Sequence, residues 1–109
     1  MAKGTFGYFR FKINGNNLSG DYMNWDTKGL QNEQGNKIAG NSDEFVGSYK
    51  TRWTDTAYRE AELTIDLFHD NTLELTCVIT NTSSKPIRYR GRGVIREENV
   101  LTGFYEMLP

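Results

Sequence analysis

A chain of 109 residues with 37% hydrophobic and 25% charged side chains has the composition of one globular domain, long enough to bury its own core. Its net charge of −1 argues against a surface given over wholly to nucleic acid or anionic membrane, and its single cysteine rules out an internal disulfide and a thiolate zinc cluster. The opening MAKGTFGYFRFK has no apolar run long enough for a signal peptide or a membrane span. A soluble, cytoplasmic chain is therefore expected, tethered to a membrane only if a longer parent carries the anchor.

Helical periodicity is almost absent. Phe9, Phe11 and Ile13 alternate with polar residues up to NGNN, whose Asn-Gly is a hairpin signal. Leu18, Gly20 and Tyr22 open the returning strand. From 27 to 44 the chain turns polar and rich in Gly and Asn, which predicts a long loop or hairpin tip and the one place for a short helix. A strand is expected from Phe45 to Trp53, turned by TDTA. Ala61, Leu63, Ile65 and Leu67 form the clearest alternation, and after HDN it resumes at Leu73, Leu75, Cys77 and Ile79. NTSSKP reads as a loop. Ile87, Tyr89, Gly91, Gly93 and Ile95 share one side of the next strand, and REEN turns into a final VLTGFYEML.

Short connections between about seven strands predict one all-β domain over 1–109, an antiparallel up-and-down meander. Closure removes exposed edges, so a small barrel of about seven or eight strands is preferred to a two-sheet sandwich. One pattern recurs within it. LSGDY, FVGSY and LTGFY each place a large apolar residue, a glycine and a tyrosine on one strand face. The glycine there either bends the strand or admits something close to the backbone.

The search for chemistry is mostly negative. His69 is the lone histidine and falls in a turn, where a solvated side chain is the ordinary outcome, and one histidine cannot build a His-based metal site. Cys77 alternates with Leu75 and Ile79 and reads as a core residue without a base to activate it. The 29–37 stretch lacks the spacing of a phosphate-binding loop. Glu60, Glu62 and Asp66 share a strand face and read as a solvated outer wall. The NLS and NTS sequons carry little without a secretory signal. The chain is expected to be neither an enzyme nor dependent on a metal or cofactor.

The inward register is more informative. It brings Tyr22 and Asn24, then Tyr49, Thr51 and Trp53, then Arg59, Tyr89 and Tyr105 onto the interior face. Hydroxyls, an amide, a guanidinium and aromatic planes are what a pocket uses to orient a ligand within apolar walls. Arg59 would favour an anionic group, and the rings a flat one. The same tyrosines also suit simple filling of a small barrel. Arg88, Arg90 and Arg92 fall on the opposite, outer face, where pairing with Glu74 and its neighbours would neutralise them, so duplex nucleic acid is not an expected partner.

The succession FVGSY, AELTI, YRGRG and LTGFY, over roughly 45–105, resembles small bacterial calycin-type (lipocalin-like) barrels. More narrowly it is similar to the barrel receptor domains of anti-phage defence operons that sense cyclic nucleotides, whose members carry transmembrane helices before the barrel; this sequence has none. The resemblance implies a ligand held in or across the barrel. The expectation is a sensor or receptor for a small anionic, nucleotide-type ligand. The alternative is a protein-interaction module with a filled interior. Either is compatible with a homo-oligomer.

Overall fold

The structure, a computed structural model, describes residues 6–24, 31–54, 58–79, 87–97 and 99–108. Within these strands the side chains of Asn24, Trp53, Thr54, Tyr58, Arg59 and Glu97 lie outside the description. Among the described residues there are eight strands: β1 (Phe6–Asn14), β2 (Asn17–Asn24), β3 (Gln31–Ala39), β4 (Gly47–Thr54), β5 (Tyr58–His69), β6 (Thr72–Ile79), β7 (Ile87–Glu97) and β8 (Val100–Met107). Each pairs antiparallel with the next, and β8 returns to β1, so the sheet closes into a barrel. No helix occurs among the described residues.

The meander and its closure agree with the sequence reading. The 27–44 segment departs from it: where a polar loop or hairpin tip with a short helix was expected, Gln31–Ala39 forms β3, paired with β2 and β4. Its inward positions are Gln31, Glu33, Gly35 and Lys37. A strand with no large apolar residue on its buried face gives no alternating signal, and its neighbours supply the hydrogen bonds that hold it.

Alternation fills the interior elsewhere. Phe9, Phe11, Ile13, Leu18, Leu63, Ile65, Leu73, Leu75 and Leu101 are buried in one cluster. Removing such a side chain from water contributes about 1.5–3 kcal/mol each. Ile95 and Leu67 break the pattern and are exposed, because β-bulges at Ile95/Glu97 and Leu67/His69 shift the register there.

The repeated apolar–Gly–Tyr pattern acquires its meaning from β1, which lies between β2 and β8. Phe11 stands between Gly20 and Leu101, and Phe9 between Tyr22 and Gly103. A Cβ on Gly20 would lie 2.3 Å from a Phe11 ring carbon, and one on Gly103 would lie 2.0 Å from the Arg92 carbonyl oxygen. The missing side chains admit a neighbour's ring and a neighbour's backbone. Gly47 differs, since its φ of +152° is one that side-chain-bearing residues rarely adopt.

One end of the barrel is sealed. The Gly15–Asn16 turn is tied to the 40–46 connection by Gly15 N donating to Asp43 Oδ1 at 2.6 Å and Asp43 N donating to Gly15 O at 2.8 Å. Phe45 of that connection enters the core. Fully buried Tyr49 donates its hydroxyl to Phe45 O at 2.7 Å and Glu44 O at 3.1 Å. Lys37 donates to the carbonyls of Asn41 and Glu44, with its ammonium 5.3 Å from the Tyr49 ring centre. Burial pushes the Tyr49 phenol up to about 12 and lowers the Lys37 ammonium, the latter against the pull of Glu44 and Asp43.

Candidate functional site

Because this end is closed by Lys37, Tyr49 and Phe45, the polar inward residues left over gather toward the other. There β1, β3, β5 and β7 begin and β2, β4, β6 and β8 finish. Tyr22 is buried near the end of β2, opposite Phe9 on β1 and Gln31 on β3. Thr51, only 2% exposed, lies between Gly35 and Ala61. Tyr89 and Tyr105 meet edge to face, ring centres 5.5 Å apart at 82°. These four belong to one end of the barrel. Tyr49 does not join them: its place is the sealed end, bound to backbone carbonyls, and its role there is structural.

Asn24, Trp53 and Arg59 are placed by their backbones alone. Asn24 is opposite Gly7, and Trp53 is opposite both Glu33 and Arg59. Their side chains lie outside the described residues.

Glu33 is the residue the sequence reading did not single out. It occupies an inward position of β3, across from Gly20 on β2. Burial raises its carboxyl from 4.5 to about 7, with the nearby Thr51 hydroxyl acting in the opposite direction. Cys77, on β6 opposite Leu63 and Tyr89, packs against the core. Burial first, and then the Glu33 charge, push its thiol well up, which leaves it a poor nucleophile at neutral pH. The nearest sequence clue to Glu33 was its spacing from Gly35 and Lys37, and without an apolar partner that spacing had no face to report.

Chemically, this end offers a carboxyl near its point of titration, buried hydroxyls and a pair of aromatic rings. It holds no described group of three or more His, Cys, Asp or Glu side chains arranged for a metal ion. His69 sits exposed at the β5–β6 turn, 3.4 Å from Asp70. On the outer wall, Arg88, Arg90 and Arg92 are exposed, and Arg92 Nη2 lies 3.4 Å from Glu74 Oε2, the cross-strand partner expected for it. No described helix is long and apolar enough to cross a membrane.

The class this architecture defines is a closed, eight-stranded, antiparallel up-and-down β-barrel, compatible with a calycin-like barrel. Comparison with known protein families, curated proteins and solved structures returns no match to the chain.

Proposed function

We propose that the barrel is a non-enzymatic binder of a small, nucleotide-type ligand, a sensor or carrier that admits it at the end away from Lys37 and Tyr49. The observation that carries this reading is the inward carboxyl of Glu33 among buried hydroxyls. Glu33 is partly buried, and its desolvation makes the carboxylate costly to form; carboxyls perturbed in this way concentrate where a protein binds or reacts. An eight-stranded barrel encloses room for side chains or for one small ligand. Glu33 would accept from the amino or ring N–H of a base, and one ring of the edge-to-face Tyr89–Tyr105 pair would stack on its plane.

Glu33 also refines the expected charge. An anionic group close to it would be repelled above about pH 7, so the phosphate of a nucleotide belongs away from β3, where Arg59 is the residue assigned to it. The calycin resemblance, and the narrower likeness to anti-phage receptors of cyclic nucleotides, supports the same ligand class. A filled interior is the second reading. It is favoured by Phe9, whose ring lies where side chains on Gly91 and Gly93 would reach, so the middle of the barrel is packed by its own residues.

Calorimetric titration with a panel of cyclic and linear mononucleotides tests the proposal. Binding by the wild-type chain, weakened in Glu33→Gln and Arg59→Ala and retained in Arg90→Ala, is the expected result. No binding to any member, or loss in Arg90→Ala with Arg59→Ala unaffected, would overturn it.

A further inference from the structure

The outer wall of β7, β8 and β1 sets rings among guanidinium groups. Outward residues fall into transverse rows fixed by the strand register. One row runs Glu74, Arg92, Phe104, Tyr8, Met23 across β6, β7, β8, β1 and β2, and the next runs Thr76, Arg90, Glu106, Phe6. Phe6 and Phe104 are 52% and 57% exposed, and they stack with ring centres 5.6 Å apart at 16°. Tyr8 meets Phe104 edge-on at 6.0 Å. Arg92 lies 3.9 Å from the ring centre of another exposed phenylalanine, Phe68. Arg90 and Arg92 line an open groove together with Phe6, Phe104 and Glu106.

Nothing in the core requires these rings, and exposed aromatic clusters mark contact surfaces. The kind of partner follows from what lies between the rings. Protein interfaces gather aromatic rings and arginine too, but deplete acidic residues, and Glu106 stands in this groove with Arg90 and Arg92. Here arginines stand inside the cluster, and Arg88 and Arg90 form no ion pair with a described residue. The far wall sets similar cross-strand pairs without a stack of described rings beside them: Lys50 stands opposite Glu62 and Arg52 opposite Glu60, as Arg90 stands opposite Glu106 here. Rings for unstacked bases beside guanidinium groups for phosphates are the components of single-strand recognition. A duplex keeps its bases stacked and offers those rings nothing.

We infer that the outer face of β7, β8 and β1 binds single-stranded nucleic acid, through stacking on Phe6, Tyr8 and Phe104 and phosphate contacts from Arg88, Arg90 and Arg92. The groove borders Tyr105 of the interior site, but the rings and guanidinium groups invoked here are exposed on the outer face, so the inference stands whether or not that site takes a nucleotide.

Fluorescence anisotropy with end-labelled oligo-dT and oligo-U of about 12 nucleotides, and with a duplex of equal length, tests it on the intact chain. Single strands should bind in preference to the duplex. Two or three phosphate contacts should give a log–log salt slope of about −1.5 to −2. Phe104→Ala should weaken binding about tenfold. Arg90→Ala should reduce the slope by about 0.7, and Lys50→Ala on the far wall should change neither quantity. All of these side chains are exposed, so folding is not at stake. Duplex bound as well as single strand, or Phe104→Ala without effect, would overturn the inference. Absence of oligonucleotide binding would overturn it too and assign the rings to a protein partner.

Discussion

Replacing Glu33 with glutamine removes the one described carboxyl that burial raises to about 7, while keeping its size and shape. Between pH 4.5 and about 7 the folded chain holds a proton there that the unfolded chain has released. The native state then binds more protons than the denatured one, so stability falls as pH rises through this window and levels off above it. The interval from 4.5 to about 7, at ~1.36 kcal/mol per pH unit, sets a ceiling of about 3 kcal/mol. Partial solvent access to Glu33 brings the expected loss to roughly 1–3 kcal/mol. Urea unfolding of both chains from pH 4 to 8 isolates the effect, because every other titrating group cancels in the difference. The two stabilities should keep a constant difference at the acid end and shift in favour of Glu33→Gln by ~1–3 kcal/mol at pH 7.5 and above. Parallel curves, or a wild-type chain that gains on the variant as pH rises, would show the carboxylate solvated or paired and would refute the argument.

Gly103→Val should lower stability by about 1–3 kcal/mol at unchanged m-value, since the new side chain would meet the Arg92 carbonyl and Gly93 Cα, which are backbone and cannot turn aside. Gly20→Val and Gly47→Val should move the urea midpoint the same way. Thr76→Val, at an exposed position on β6, should leave it level or raise it; three glycine variants as stable as wild type would mean that the repeated pattern is coincidence. Tyr49→Phe should cost ~1–3 kcal/mol by leaving the Phe45 carbonyl without its donor in a buried place, and an unaltered midpoint would show that the hydroxyl does not hold the 40–46 connection.

How much of this was legible depended on whether a strand buried apolar residues at alternate positions. β1, β5 and β6 did, and their inward apolar residues are buried as the alternation required, apart from Leu67 beside its bulge and half-buried Cys77. β7 was readable through its arginines, which face out opposite Gly91 and Gly93. β3 was not readable. Its interior face is Gln31, Glu33, Gly35 and Lys37, a set that local patterning assigns to loops and only the paired neighbours turn into a strand. Glu33 was lost with it. The inward placement of Tyr22, Thr51, Tyr89 and Tyr105 was legible because they continue apolar registers that could be followed. Tyr49 followed such a register too, but strand parity reports which face a residue takes and not which end of the barrel it reaches. Lys37 and the 40–46 connection, distant in pattern from any strand signal, decide that.

The pairing of β1 with β8 sets the order in which this chain can fold. Seven of the eight seams join strands adjacent in sequence, and each can form as a local hairpin or short-loop closure. The eighth joins Phe6 to Glu106 and must wait for nearly the whole chain to be in place. Until then the sheet is an open ribbon with two free edges, one bearing Phe9 and Phe11 and the other Leu101 and Phe104. Those edges match each other on the same chain and on any other copy. Rapid closure leads to a monomeric barrel, while crowding of newly made chains favours exchange of β1 or β8 between two of them, a strand-swapped dimer with every seam satisfied.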